Sequence, residues 1–558
     1  MQILTTLKTN CKNCYKCIRQ CPVKAIEFSN YQAQIIDEEC VLCGMCYNAC
    51  PQDAKSLKSD IEFVKTWLMQ DEEVIVSIAP SFLSDFYKSD FDSMKRGFLE
   101  LGFTDVFQTA ESATIIKNAY EETLTTLDQK VLISSCCPTV NLLIQKHYPT
   151  LIPFLAKTPT PMVYHGHMLK KQYKDAKVVF VGPCIAKKYE QETNKDYVDA
   201  VLSFEDIKQW FDEASCQYKK DNGKSKAIGR TNSFPTAGGI IKSFTQFEDT
   251  IHYLAVDGME SCIDALNDIQ DGVIDNCFIE MSACKGSCVG GPLRNRKQNT
   301  PVKSLININT HITETDYHVE PTSLSEVTPV FDNLAKHHPA IQDYEIESIL
   351  NQMGKTTDSD HLNCGSCGYK TCYDKAVAIA RGKADLTMCL PYLKDKAESF
   401  SDHIVEHSPN GVLILNEKLE VHVMNTACCK LFDLKSHTVV LSQHVSALKD
   451  PSIYYELKEQ QKKRAHKRYY IAEVERYVDE SIVYDDTFKI YICILRDITK
   501  EVKQQQAKKE TQRHAMKITD DVILKQMRVV HEIASLLGET TAETKVALTK
   551  LKGVITDE

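Results

Sequence analysis

Short apolar runs dominate the chain between about residues 73 and 310. Four of them are EEVIVSIAPS (72–81), KVLISSCCP (130–138), AKVVFVGPC (176–184) and NCFIEMSAC (276–284). Each run is short and ends in small or cysteine-bearing turns, which predicts a buried strand. Because helical patterns alternate with these strands, we expect an α/β layer with a mostly parallel sheet.

Three of these four runs deliver cysteine at the end of the predicted strand. The residues are Cys136, Cys137, Cys184 and Cys284, and Cys288 follows four positions after the last of them. In open parallel sheets, ligands gather at the carboxyl ends of the strands. The repetition therefore favours a bound metal or cofactor over a purely structural role for these thiols.

The C-terminal third has a different pattern. GVLILNEKLEVHVMN (411–425) predicts two strands about a turn, and a short helix, TACCKLFDL, follows. YYIAEVERYV and FKIYICILRDIT alternate like strands. From about residue 500 we expect a helix whose apolar seam packs against the preceding domain or against a dimer or signalling partner. The seam residues are Met527, Val530, Ala534 and Leu537.

Length and charge narrow the class of protein. A chain of 558 residues with 43% hydrophobic and 25% charged residues predicts about three to five folded, soluble domains. The net charge of −10 argues against nucleic acid or an anionic membrane as partner. The basic run at 458–470 is interpreted as a solvated loop or helix face. With no signal-peptide core and no stretch of about 18 apolar residues, we expect a cytoplasmic protein without a membrane span.

The 23 cysteines are clustered, which in a reducing compartment indicates metal ligands. CKNCYKCIRQCP (11–22) and CVLCGMCYNACP (40–51) form an internal repeat. Three close thiolates hold three corners of a [4Fe–4S] cubane, and the cysteine before proline binds the other cluster. The repeat resembles bacterial two-cluster ferredoxins at all eight positions, whereas structural zinc would lack the paired Cys-Pro. One cluster is assigned to Cys11, Cys14, Cys17 and Cys50, and the other to Cys40, Cys43, Cys46 and Cys21.

A third cysteine group follows a predicted linker at 319–331. Its spacing, C-x2-C-x4-C-x16-C, suits another [4Fe–4S] cluster, and four thiolates also satisfy a structural zinc ion. The residues are Cys364, Cys367, Cys372 and Cys389.

Three segments of the chain together resemble the three signature loops of the [FeFe]-hydrogenases. They are SSCCPTV, GPCIAKKYE and EMSACKGSCVGGP. The resemblance covers residues 1 to about 310. The segment at 402–500, with Asn425 before its short helix, resembles a PAS domain, so the chain is most similar to the sensory branch of the family. The expected domains are a ferredoxin-like α+β domain (1–58), an α/β H-cluster domain with mostly parallel sheets (72–318), a small helical Fe–S segment (340–396), the α+β PAS domain (402–500) and a C-terminal helix (501–558).

The resemblance implies a role for each loop residue. Cys137, Cys184, Cys284 and Cys288 match the four ligands of a [4Fe–4S] cubane, and Cys288 would also bridge to a [2Fe] unit bearing CO, CN and a dithiolate. Cys136 matches the thiol that exchanges protons with the dithiolate amine. Lys187 matches the donor to a cyanide ligand. Glu190 is expected to orient the loop or to pair with Lys187 or Lys188, and with the other sites the chain would hold four [4Fe–4S] clusters.

Three positions depart from the family pattern around the [2Fe] unit. Val140, Gly182 and Ser282 stand where the family has tryptophan, methionine and methionine, so we expect a smaller and more polar surrounding. The acidic helix that supplies protons also fits poorly, because the usual glutamates fall near Ala119 and Tyr120. Slow turnover and a sensing role are therefore expected.

Two functions remain in competition at this stage. The first is an [FeFe]-hydrogenase that acts on H2 and protons, exchanges electrons with ferredoxin, needs cofactor maturation proteins and signals to a serine/threonine phosphatase or histidine kinase. The second is a non-catalytic iron–sulfur protein, for electron transfer or cluster assembly, without the [2Fe] unit. The presence of Cys136, Lys187 and Cys288 favours the first.

Overall fold

The computed structural model describes residues 3–126, 131–219, 229–294, 301–319 and 324–555. It divides into two compact units, Met1–Leu393 and Lys394–Glu558. Part of the predicted linker, residues 320–323, lies outside the described residues, as do short stretches of the predicted H-cluster domain and the last three residues of the chain. Within the described ranges, each helix is too short or too polar to cross a bilayer.

The N-terminal segment consists of two similar halves, each with a cysteine run that leads into a one-turn helix. Antiparallel pairing of its first and last strands joins its two ends, and a hairpin links the halves. Its elements are β1 (Leu4–Thr6), α1 (Lys16–Gln20), β2 (Ile26–Ser29), β3 (Gln32–Ile35), α2 (Met45–Ala49) and β4 (Lys55–Leu57).

The apolar runs between residues 73 and 310 form two parallel sheets. One has the strand order β6-β5-β8-β9 and the other β10-β11-β7. Every residue of β5 is buried, as expected for a parallel strand covered on both faces. The strands are β5 (Val74–Ile78), β6 (Asp105–Gln108), β7 (Val131–Ile133), β8 (Lys177–Val181), β9 (Ala200–Leu202), β10 (His252–Asp257) and β11 (Cys277–Ser282).

Helices cover these sheets and build two large cores. The helices after β7 and β8 begin within two residues of Cys137 and Cys184, so the backbone of those two loops is fixed at both ends. The helices are α3 (Ile61–Met69), α4 (Phe82–Asp85), α5 (Phe91–Glu100), α6 (Thr109–Thr125), α7 (Pro138–His147), α8 (Pro161–Gln172), α9 (Ala186–Thr193), α10 (Phe204–Glu213), α11 (Gly239–Ser243), α12 (Met259–Gln270) and α13 (Pro301–Asn309).

The third cysteine group lies in a small helical segment of the first unit. Its helices are α14 (Asp343–Gln352) and α15 (Cys372–Ala380), and α16 (Leu390–Glu406) begins directly after Cys389. Ile346, Leu350, Met353 and Ala376 form its small core.

The second unit contains a five-stranded antiparallel sheet with the order β13-β12-β16-β15-β14. The basic run at 458–470, expected to be a loop or helix face, instead enters the edge strand β14, whose residues alternate between exposed and half-buried. The elements are β12 (Gly411–Asn416), β13 (Val421–Met424), α17 (Thr426–Leu431), α18 (Ser452–Glu459), β14 (Arg464–Ile471), β15 (Arg476–Asp485), β16 (Ile490–Asp497) and α19 (Thr499–Ile555).

Candidate metal centre

Three loops at the carboxyl ends of parallel strands bring the predicted cysteines together. Strand β7 leads to Cys136 and Cys137, and Pro138 then starts α7. Because proline has no backbone N–H, no donor is left unpaired at this first position of the helix. Strand β8 leads to Cys184 just before α9. Strand β11 leads to Cys284, and Cys288 lies in the following 3-10 turn. Both sheets therefore contribute to one site.

Four of these thiols are mutual neighbours. Burial raises the pKa of Cys184 to about 12, and the charges of Cys137 and Cys288 raise it further. Burial also raises the pKa of Cys284, with contributions from Cys184, Cys137 and Cys288. Thiols gathered in this way suit a cationic iron cluster, which displaces their protons on binding. No three His, Cys, Asp or Glu side chains among the described residues could share one metal ion, whereas each thiolate of a cubane binds a different iron.

A cavity opens on one side of this cysteine group. Cys136, Cys137, Cys184, Lys187, Ser282 and Cys288 line its polar wall. Apolar side chains line much of the rest of the cavity, among them Met162, Phe180, Phe234, Ile240 and Met281. The site can thus hold a cubane between the four cysteines and a second group against Cys288, facing both a thiol and an ammonium.

Lys187 reaches this cavity as a buried cation with two polar partners. Its Nζ donates to Thr160 Oγ1 at 2.9 Å and to Glu190 Oε2 at 2.6 Å. Burial alone would lower the pKa of Lys187, but the Glu190 carboxylate outweighs burial and raises it. Lys188 instead pairs with Asp60 at 2.9 Å. Of the two partners considered for Glu190, the structure therefore selects Lys187, which stays charged.

Tyr120, which the sequence did not single out as functional, contacts Cys136. Its hydroxyl lies 3.2 Å from Cys136 Sγ and accepts from the Ser135 backbone N–H at 3.0 Å. The Ser135 hydroxyl donates to Thr158 O at 2.6 Å, so its oxygen, 3.1 Å from the Tyr120 hydroxyl, and the Cys136 thiol are the two acceptors within reach of the phenol proton. Burial raises the pKa of Cys136 to about 12, and the Tyr120 hydrogen bond lowers it. The signal in the sequence was a tyrosine where the family has an acid.

The acidic residues near this helix have another role. Glu121 is buried and accepts from the backbone N–H groups of Thr245 and Gln246. It also lies 3.5 Å from the Lys117 ammonium. Glu121 thus caps a turn of the chain, and Glu122 is exposed.

The three departures from the family pattern have different surroundings. A Cβ at Gly182 would lie 2.7 Å from the Phe180 ring, so that ring occupies the space a longer side chain would need. Val140 is fully buried in a core cluster and does not line the cavity. Ser282 does line it, with its hydroxyl 3.0 Å from that of Ser287. Of these three positions, only Ser282 therefore lines the cavity.

The N-terminal cysteines separate into the two sets expected from the repeat. Cys11, Cys14, Cys17 and Cys50 line one small cavity. Burial raises the pKa of Cys46 to about 12, and the charges of Cys21 and Cys40 add to this rise. Burial raises the pKa of Cys43, and Cys21 is its next largest influence.

The second N-terminal set lies against the main site. Cys43 is close enough to Cys284 for its charge to raise the pKa of that thiol. Next to it, Gly44 has φ +71°, and a Cβ there would lie 2.4 Å from Pro292 Cβ. The glycine therefore permits direct packing between the N-terminal cysteine loop and the third signature loop.

The third cysteine group is more open than the others. Burial raises the pKa of Cys367, and the charges of Cys389 and Cys364 raise it further. Cys364 is exposed, and its Sγ lies 3.2 Å from the Ser366 hydroxyl, which lowers the pKa of Cys364. The buried Lys375 donates to Leu386 O at 3.1 Å and lies near all of Cys367, Cys372 and Cys389.

Three family models match the chain. Residues 72–292 match the iron-only hydrogenase large subunit, C-terminal domain. Residues 4–51 match the 4Fe-4S dicluster domain, and residues 360–391 match a model for an Fe–S cluster.

The similar curated proteins include two hydrogenases and one assembly factor. The periplasmic [Fe] hydrogenase large subunit of Nitratidesulfovibrio vulgaris is 23% identical over 36% of this chain and 61% of its own. The NADP-reducing hydrogenase subunit HndD of Solidesulfovibrio fructosivorans is 25% identical over 47% and 57%. The cytosolic Fe-S cluster assembly factor NAR1 of Saccharomyces cerevisiae is 22% identical over 32% and 43%. The chain thus spans about three fifths or less of the length of each.

Two solved structures are similar to parts of this chain. [FeFe]-hydrogenase HydA1 from Chlamydomonas reinhardtii covers 45% of this chain and 88% of its own at 16% identity and a TM-score of 0.37. A PAS domain of an HTR-like protein from Haloarcula marismortui covers 19% and 93% at 15% identity and a TM-score of 0.16.

Proposed function

Because residues 72–292 make this chain a member of the iron-only hydrogenase family, we propose that it catalyses the reversible oxidation of H2 to protons and electrons. One observation carries the proposal: a cavity in which the thiols of Cys136 and Cys288 and the ammonium of Lys187 line one wall. A site that only stored or transferred a cubane would need the four cysteines but not a cavity lined by a further thiol and a cation.

The residues of the site divide the work. Cys137, Cys184, Cys284 and Cys288 would hold a [4Fe–4S] cubane, with Cys288 shared with a [2Fe] unit in the cavity. That unit, when bound, supplies the open metal position and the base that cleave H2. Lys187, kept charged by Glu190, offers an N–H donor to an anionic ligand in the cavity.

Proton movement depends on Cys136. Its Sγ lines the cavity on one side and meets the Tyr120 hydroxyl on the other. A thiol can accept and return a proton in this position because proton transfer requires donor and acceptor within hydrogen-bond reach. Tyr120 holds that thiol in place, and the Ser135 N–H holds Tyr120 in turn.

The resemblance to an assembly factor supports a second candidate, a non-catalytic iron–sulfur protein without the [2Fe] unit. Infrared spectra discriminate between the two, because bound CO and CN absorb where protein groups do not. After anaerobic loading with the synthetic [2Fe] cofactor, we expect CO and CN bands together with H2 uptake. A chain with a full complement of cubanes that shows neither would be the second candidate.

The second unit supports a sensing role for the hydrogenase. Its antiparallel sheet with order β13-β12-β16-β15-β14 is the arrangement expected for a PAS domain, and α19 exposes apolar residues along its length. We propose that α19 pairs with a second copy or with the helix of a signalling protein such as a phosphatase or kinase. Deleting the chain from Ile404 onward should leave H2 chemistry intact and abolish the response of that protein to H2. A partner that responds unchanged to the truncated chain would remove the sensing role.

Turnover is proposed to be slow. Glu121 is used to cap a turn, so no carboxylate of α6 hydrogen-bonds the Cys136 thiol among the contacts of the described residues. Protein-film electrochemistry measures this rate directly, and a current comparable with that of bulk catalytic hydrogenases would contradict it.

A further inference from the structure

The turn that carries Cys364 and Cys367 is fixed on the N-terminal segment by two basic side chains. Arg19 donates from Nε to Gly365 O at 3.2 Å and from Nη2 to Ser366 O at 3.0 Å. Lys24 donates from Nζ to Gly368 O at 3.0 Å. Three successive contacts thus hold the backbone of one cysteine turn against the stretch that contains Cys21.

Close packing reinforces these hydrogen bonds. Gly368 has φ +96°, and a Cβ there would lie 3.0 Å from Ile18 Cγ2. The Phe28 N–H donates to Lys383 O at 2.8 Å, and the Lys383 ammonium pairs with the buried Glu39 carboxylate. Because contacts occur on both sides of the third cysteine group, the two segments form a fixed interface within the first unit.

Lys24 is the side chain common to the two cysteine sites. Besides Gly368 O, its ammonium donates to Ile18 O at 3.0 Å and to Arg19 O at 3.3 Å. It is close enough to both Cys21 and Cys367 for their charges to act on it. The ring of Tyr369 lies 5.7 Å from Lys24 Nζ. Burial raises the pKa of Tyr369, and the charges of both thiols raise it further.

We infer that Lys24 and the 365–368 turn join the site of Cys364, Cys367, Cys372 and Cys389 to the site of Cys21, Cys40, Cys43 and Cys46 as one redox unit. The second N-terminal site then has a neighbouring site on each of two sides, since its Cys43 lies by Cys284 and its Cys21 lies by Lys24. An electron passing between the two sites oxidises one cluster and reduces the other, with no bond or proton exchanged. The third cysteine group thus gives the hydrogenase a second place at which electrons can enter or leave. This place is separate from the surface beside Cys11 and Cys14.

This inference rests on the proposed function only for the presence of the clusters. It needs iron and sulfide but no [2Fe] unit, so it can be tested on protein that cannot cleave H2. Failure of the infrared test would leave the inference untouched, and its own failure would leave the hydrogenase proposal standing.

The first test is electron paramagnetic resonance of the cubane-loaded full chain after chemical reduction. Reduced clusters that are close broaden and split each other's signals. The spectrum should therefore lose broadening when Cys364→Ser and Cys372→Ser remove the third cluster. A wild-type spectrum equal to that of the double variant plus an isolated cluster signal would overturn the inference.

The second test uses the charge of Lys24. A cation near a cluster favours the reduced form, which carries one more negative charge. Lys24→Gln should therefore shift the midpoint potentials of two clusters downward together, and Lys24→Arg should hold both near their wild-type values. Lys8→Gln, an exposed lysine of the same segment, should move neither. A shift confined to one cluster would show that Lys24 is not shared.

Iron analysis guards against misfolding. If Lys24→Gln lost iron, Lys24→Arg and the wild-type spectrum would still decide the matter, because both retain the interface. Persistence of the cluster–cluster broadening in Lys24→Arg supports the inference, and its absence from the wild type overturns it.

Discussion

Two buried tyrosines hydrogen-bond to thiols in this protein, one in each compact unit. Tyr120 lies 3.2 Å from Cys136 in the first unit, and Tyr454 lies 3.0 Å from Cys493 in the second. The local contact is the same, but Cys136 is partly exposed to the cavity, whereas Cys493 is fully buried in its sheet. Access to a cavity, rather than the pairing itself, is therefore the feature on which the proposed proton exchange at Cys136 depends.

The same contrast holds for two buried ion pairs. Lys187 pairs with Glu190 and also lines the cavity. Lys449 pairs with Glu480, which accepts from Tyr454 at 3.3 Å, and all three lie within the second unit. Because a buried ion pair gives little net stability by itself, neither pair identifies an active site without the cavity.

Removal of the Cys136 thiol should have the largest effect. In Cys136→Ala the proton route at the cavity wall is lost, so H2 turnover of the [2Fe]-loaded chain should fall by about 10²- to 10⁴-fold. The CO and CN bands should persist, since Cys136 is not a proposed metal ligand. Cys493→Ala is the matched control and should turn over at the wild-type rate. Equal losses in the two variants would break the contrast.

Lys187→Met tests the second pair of the comparison. It leaves the Glu190 carboxylate buried without its cation, which should lower the free energy of unfolding by about 3 kcal/mol. Adding Glu190→Gln should recover most of that stability in a denaturant titration but not the H2 turnover. If the double variant regained turnover as well, Lys187 would be structural only. Lys449→Met should destabilise the second unit without changing turnover.

Tyr120→Phe should have a smaller effect. It leaves the buried Ser135 N–H without its acceptor, at a cost of about 1 to 3 kcal/mol. It also frees the Cys136 thiol to rotate, so we expect turnover to fall by about tenfold and the deuterium isotope effect on turnover to rise. Tyr454→Phe should give a similar loss of stability with unchanged turnover. Identical turnover in the two variants would remove Tyr120 from the proton route.

The smallest effect concerns two buried glutamates. Glu480 meets the Lys449 ammonium, whereas Glu280 accepts from the Ile240 and Ile241 N–H groups at 3.0 Å. Burial raises the pKa of Glu280 to about 7. The folded chain therefore keeps a proton that the unfolded chain releases near its ordinary pKa of about 4.3, and the free energy of unfolding falls as pH rises between these values.

Glu280→Gln should flatten this pH dependence. Between about pH 6 and 7 the wild type should lose about 1 kcal/mol that the variant keeps, as measured by denaturant unfolding. Glu480→Gln should not reproduce the flattening, because it removes the partner of Lys449 instead. A wild type whose stability is level over this range would contradict the prediction.

Cysteine spacing predicted the location of the site well. Strands that deliver Cys136, Cys184 and Cys284 to one edge can be read from short apolar runs, because a buried parallel strand leaves a continuous apolar signature. The same signature does not say which strands pair, so it could not give the strand order of the two sheets. The alternation of β14 was likewise hidden beneath its basic composition.

Contacts between distant segments could not be predicted. Tyr120 meets Cys136 only because α6 presents that side of its surface to the loop after β7, and the rotation of a buried helix depends on its whole surroundings. The substitutions at Val140 and Gly182 suggested a polar cavity, yet Phe180, which no motif marks, fills the space beside Gly182. The sequence thus predicted which cysteines belong to the candidate site, whereas the side chains packed around them depend on the tertiary structure.

The contact of Gly44 with Pro292 sets how near two iron centres can come. A single methyl group at position 44 would overlap the ring of Pro292 and push the Cys43 loop away from the Cys284 loop. Electron tunnelling slows steeply with separation, so the proposed electron transfer between the Cys43 and Cys284 sites depends on position 44 having no side chain.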